Sequence, residues 1–228
     1  MEAIHRRFQS RAPGIKTLTD NNLTLLGAPL TEAASDAIMM EKLDALKLMG
    51  ERLAMIDSHD ALFLLKNCFA IPKLTYFLRT APFFKKKDIL HLYDEELKNA
   101  LETILNVPLE GDAWIQCTLP VKKGGLGICK ASEIALPAFL SSAHRAQIGK
   151  EALQLAHINK IKYELRQDAE IIWKESLNND DLQNSTPTVQ ASWDAPLIDL
   201  TYNQLLTSQT RLVDRARLLA VAAEHASD

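Results

Sequence analysis

Between Glu32 and Ile56 an apolar side chain returns every third or fourth position, at Met39, Leu43, Leu46, Met49, Leu53 and Ile56. That period places them on one stripe of an α-helix, and such a stripe is stable in water only when another element covers it. The spacing recurs at Ile89, Leu92, Tyr93, Leu97, Ala100, Leu101 and Ile104, while Ala61, Leu65 and Cys68 share a helical face with Leu62 and Phe69. The chain is therefore expected to be mainly α, a helical bundle with additional C-terminal helices. Its 228 residues, 47% of them hydrophobic, supply enough apolar surface for a packed core. Only 8 Gly and 9 Pro among abundant Leu and Ala set aside a fibrous or disordered chain.

The breakers divide the sequence. Lys16–Thr19 and Leu23–Gly27 are short β-tolerant runs separated by Asp20, Asn21 and Asn22, so a small β-hairpin is predicted within an N-terminal segment, residues 1–30. A helical region follows over 31–177. In it Thr31, Ser58 and Ser132 are placed to cap helices, and Pro72–Thr80 forms a short helix closed by Pro82. Asn106 and Pro108 stop the helix that begins after Lys87, and Trp114–Pro120 reads as extended or irregular. Helices are expected over Ser132–Ala146, with Pro137 near the first turn, and over Glu151–Leu177. Residues 178–196 are rich in Asn, Asp, Ser, Thr and Pro and read as a polar linker, before a C-terminal segment, 197–228, with a helix over Tyr202–Glu224.

Several chemistries lack their residues. Cys68, Cys117 and Cys129 are widely spaced, and no CxxC or HExxH is present, so neither a disulfide framework nor a metal site is expected. The histidines are scattered, no Ser lies in a GxSxG elbow, and no catalytic residue or cofactor is predicted. Lys122-Lys123-Gly124-Gly125-Leu126-Gly127 has the glycines of a phosphate loop. Ile128 and Cys129 then stand where such a loop needs Lys and Ser or Thr, so the run reads as a tight turn with positive φ. No stretch approaches the ~20 apolar residues of a membrane span, and the N-terminus lacks the apolar core of a signal peptide. An intracellular protein with no membrane partner is the expectation.

Read in order, several runs resemble retrotransposon-type reverse transcriptases. These are Leu25-Leu26-Gly27-Ala28-Pro29-Leu30, Ala61-Leu62-Phe63-Leu64-Leu65-Lys66-Asn67-Cys68, and Pro72-Lys73-Leu74-Thr75-Tyr76-Phe77-Leu78-Arg79-Thr80-Ala81-Pro82, then Trp114, Leu119-Pro120 and Gly124-Gly125-Leu126-Gly127-Ile128. The resemblance spans about Lys16 to Ser142 and concerns the part after the polymerase active site. It implies that Leu26 and Gly27 belong to the hairpin that closes the palm and supports the primer end. It also implies that Glu32–Thr80 is a helical thumb and the remainder a connection. The family's metal-binding aspartates, an early palm aspartate and a Tyr-x-Asp-Asp hairpin, are not in this sequence; its Asp-Asp pair, Asp180-Asp181, lies in the polar linker. The chain is expected to be a non-catalytic fragment starting downstream of the palm, unable to synthesise DNA.

A thumb holds a template–primer duplex through phosphates. Net charge is −3, yet Asp60–Lys87 holds six basic residues against one acid. On charge alone Arg79, Lys85, Lys86, Lys87, Lys122 and Lys123 form the candidate phosphate-facing set for an RNA–DNA or DNA duplex, although solvated helix faces of mixed sign carry the same residues. The alternative is a helical protein-interaction module without nucleic-acid binding. There apolar surface around Leu25, Leu26 and Leu30 meets the missing palm or a second copy. A helical enzyme with a scattered site would instead show a deep pocket with convergent ionisable groups.

Overall fold

Thr24–Leu25 (β1) and Ala28–Pro29 (β2) pair antiparallel, Thr24 opposite Pro29 and Leu25 opposite Ala28, in a computed structural model that describes Arg11 and residues 19–152, 164–177 and 188–223. The turn between them is Leu26-Gly27, both with positive φ (51° and 83°), the two-residue geometry that matches strand twist. The predicted hairpin thus exists one step later than the turn residues suggested. Asp20–Asn22 forms a 3₁₀ turn instead, tied to the start of the next helix by the Thr31 hydroxyl donating to the Asp20 carbonyl. Lys16, Thr17 and Leu18 lie outside the described residues.

Helix α1 (Glu32–Leu53) starts at Thr31, whose side chain accepts from the Ala34 N–H at 3.2 Å. It buries Met39, Leu43, Leu46 and Leu53. Helix α2 (Ser58–Leu64) is capped by Asp57, which accepts from the His59 N–H at 2.9 Å, rather than by Ser58. A π-turn (Leu65–Phe69), a 3₁₀ turn (Ile71–Lys73) and α3 (Thr75–Thr80) follow. Ser58–Thr80 holds an 18-residue window of mean hydropathy 1.3 and is long and apolar enough by composition to cross a membrane, an exception to the sequence expectation. Here it is broken into these four pieces, and Ala61, Leu65, Leu74 and Leu78 join the protein core.

Helix α4 (Lys87–Leu105) packs along α1, so closely that a Cβ on Gly50 would lie 3.1 Å from that of Ala100. It ends at Asn106, as the sequence predicts, and that residue lies in the left-handed region. Asp112–Thr118 is a helix, α5, and not extended; Gly111 at φ 51° turns the chain into it, and Pro120 holds Leu119 extended at its end. Helix α6 (Ala131–Ala152) runs past the predicted end with Pro137 inside it. Of the predicted Glu151–Leu177 helix, Glu164–Leu177 (α7) is described, and 153–163 lie outside the described residues.

The largest departure is the linker. Residues 178–187 lie outside the described residues, but Gln190–Ser208 is a helix, α8, that absorbs residues 190–196 of the predicted loop, Pro196 included. The missing proline N–H is offset by packing. Trp193 is buried edge-on against Trp173 at 4.8 Å, and its carbonyl accepts from the Trp173 indole at 3.2 Å. The predicted Tyr202–Glu224 helix is divided between α8 and α9 (Leu212–Ala222), because Ser208 and Gln209 both donate to Asp112, at 2.9 and 2.8 Å, and pin the chain between them. One core runs from Met39 through α4 and α6 to Trp193, and a smaller cluster of Leu119, Tyr202, Leu205 and Leu218 seats α9.

Candidate functional site

Four of the six basic residues singled out by charge are engaged by side chains of other helices. Lys85 and Lys86 are adjacent but engage different helices: Lys85 pairs with Asp168 of α7 and Lys86 with Asp36 of α1, each at 2.6 Å. Lys123 pairs with Asp199 of α8 at 2.7 Å and lies 4.5 Å from the Tyr202 ring centre. Arg79 donates to the Gln190 side chain at 3.0 Å. These four tie helices together through partners distant in sequence. Lys87 and Lys122 are exposed, and neither has an ion pair among the described residues.

The glycine run is a structural turn. The Gly125 N–H donates to Pro120 and the Gly127 N–H to Leu119, while Leu126 and Ile128 both donate to the Cys117 carbonyl. A Cβ on Gly125 would collide with the Leu119 and Gln116 carbonyls. Gly124 and Gly127 have φ 80° and 72°. The backbone N–H groups are thus used internally, which leaves no phosphate cradle of the kind that glycine-rich loops build.

Two features stand out from the residues upward. At the hairpin tip Leu26 is 90% exposed, Leu25 61% and Leu30 58%. The Tyr76 hydroxyl donates to the Leu26 carbonyl at 2.7 Å and braces the turn from α3. The second feature is an open cleft of about 760 Å³ between the start of α4, the 120–130 loop, α6 and α8. Lys66 reaches it from the π-turn, donating to the Leu126 carbonyl at 2.8 Å.

Ionisable groups converge on this cleft. Asp94 is buried and accepts from the Ala131 N–H at 2.6 Å and from the Ser132 N–H at 3.1 Å and hydroxyl, so it caps α6 from a neighbouring helix. Burial raises its carboxyl above the usual range despite those bonds. Burial pushes Asp194 up to about 6, against a hydrogen bond from Gln190 and the field of Arg79. Cys129 is exposed, and its thiol is raised by desolvation and then by Asp194 and Glu133, with Lys66 opposing. Among the described residues no three His, Cys, Asp or Glu side chains are placed to hold a metal ion. Sequence reasoning missed the cleft. Lys66 enters the local charge count, but nothing near it in sequence points to Leu126, and Asp194 falls in the stretch taken for a linker. No protein-family model, curated protein or solved structure matches the chain.

Proposed function

We propose that the chain is a non-catalytic, thumb-like portion of a retrotransposon-type reverse transcriptase, whose hairpin packs on a catalytic palm and whose own hold on nucleic acid is weak and confined to phosphates. The observation that carries this reading is the hairpin tip. A leucine in the left-handed region costs roughly 1–2 kcal/mol, and burial of the Leu26 side chain offsets none of it. A braced, strained and exposed apolar turn suits a surface made to be covered. The runs that carry the resemblance are also bonded to one another, Leu26 to Tyr76 and Lys66 to Leu126, so their order along the chain has a counterpart in space.

Primer extension tests the reading. The chain alone should give none on an RNA template, and added to a palm segment of this polymerase type it should bind and stimulate extension, with Leu26→Asp abolishing both. Extension by the chain alone, or no association with such a palm, overturns the proposal. For phosphate contact, fluorescence anisotropy with an RNA–DNA duplex should show weak binding that falls steeply with salt and is lost in Lys87→Ala/Lys122→Ala. Binding unchanged in that variant removes the nucleic-acid part. The same exposed tip favours a second reading, a protein-interaction module without nucleic acid. It predicts self-association in sedimentation that Leu26→Asp abolishes, with no duplex binding at low salt.

A further inference from the structure

Apart from Lys87, the cleft between α4, α6 and α8 plays no part in that proposal. Leu90, Ile134, Leu136, Ile172 and Leu197 give it an apolar lining. Its lining carries four carboxylates, Asp94, Glu95, Glu133 and Asp194, and the first, third and fourth of these have partners among the described residues. Asp94 is engaged by the N-terminus of α6, Lys130 pairs with Glu133 at 2.6 Å, and Asp194 accepts from Gln190. Lys66 is different. Its half-buried ammonium has three donors; the described residues give it the Leu126 carbonyl as acceptor and no carboxylate partner. Lys87 lines the same cleft, exposed and without an ion pair among the described residues, and Glu95, to which the described residues give no partner, lies two helical turns further along α4.

We propose that this cleft binds a small amphipathic anion, with an aliphatic body against the Leu and Ile side chains and a carboxylate held by Lys66, Lys87 adding a second positive charge. The volume falls within the roughly 300–1,000 Å³ of sites that enclose small molecules. An ammonium–carboxylate hydrogen bond is charge-assisted and is strengthened by apolar walls around it. The site shares Lys87 with the proposed phosphate contact and is otherwise independent of the polymerase reading.

Calorimetric titration of the full chain with decanoate, 1-decanol and decylammonium separates head group from tail. Decanoate should bind about tenfold or more tighter than decanol, and decylammonium weakest. Lys66→Met should bring decanoate down to the affinity of the alcohol, Lys66→Arg should retain binding, and Lys87→Gln should weaken it severalfold. Leu26→Asp should change nothing. Equal affinity for the three ligands overturns the proposal, as does decanoate binding that is lost in Leu26→Asp. Because Lys66→Met also removes the tie to Leu126, its fold is checked by circular dichroism. If it fails to fold, Lys87→Gln decides, and affinity unaltered there overturns the site.

Discussion

Asp94 and Asp194 are both carboxylates raised by burial, yet they do opposite things for the fold. Asp94 is matched by three donors at the start of α6, so its loss strands the Ala131 and Ser132 N–H groups in a buried setting. Asp94→Ala is expected to cost about 2 kcal/mol in urea unfolding, at the upper end for a cap. Asp194 has a folded value of about 6 against an unfolded value of 3.8. Between those values the folded chain binds more protons than the unfolded one, so stability falls as pH rises from about 4 to about 6. Asp194→Asn should flatten that part of the stability–pH profile and leave the variant more stable than the parent at pH 7; a slope unchanged by the substitution refutes the assignment. At Gly125 the constraint is steric. Gly125→Ala drives a methyl group into two backbone carbonyls and should lower stability by ~1–3 kcal/mol or more, whereas Gly149→Ala, which meets nothing within 4 Å, should be tolerated in the same melts.

At the scale of elements, the ion pairs that consume the candidate phosphate-binding lysines are mostly exposed at their acidic ends. Lys85–Asp168 is accordingly expected to contribute about 0.2–1 kcal/mol in a double-mutant cycle, and to fade with salt. Their consequence is directional rather than energetic, since they fix how α7, α1 and α8 meet the 79–123 region. Those partners could not be read from a local charge count, because Asp36, Asp168 and Asp199 lie far away in sequence. The helical stripes of α1 and α4 were legible, since their apolar period is set by the helix itself, except at Ile56, which lies past the end of α1, and Leu92, both of which are exposed. Caps were legible only when local. Thr31 was found, but Ser132 points to the wrong group, because the acceptor at that helix start comes from Asp94 on α4. Residues 190–196 misled for a related reason: Ser192 and Pro196 advertise a loop, and the packing of Trp193 on Trp173 overrides them. The cleft was hidden altogether, since it is assembled by long-range contacts between Lys66, the glycine turn and α8.

Across the whole molecule, the two apolar clusters differ greatly in size, and that difference sets where the chain opens first. The large cluster joins α1, α4 and α6 to Trp173 and Trp193, with Tyr93 anchoring it by donating to the Ala70 carbonyl at 3.1 Å. Helix α9 is held by the small cluster around Leu218 and by the Tyr202 hydroxyl, which donates to the Leu218 carbonyl at 3.1 Å, while Leu212, Val213 and Leu219 remain exposed. With so little apolar area to expose, α9 should detach at a free energy well below that of global unfolding. Native-state hydrogen exchange should show amides of α9 exchanging through openings that cost little, while those of α4 exchange only with the whole chain. Leu218→Ala should speed exchange in α9 and shift the global midpoint little. Leu97→Ala, at a fully buried position of the large cluster, should cost about 2–5 kcal/mol and lower protection throughout. If Leu218→Ala instead lowers the protection of α4 as much as that of α9, the two clusters unfold as one unit and the division fails.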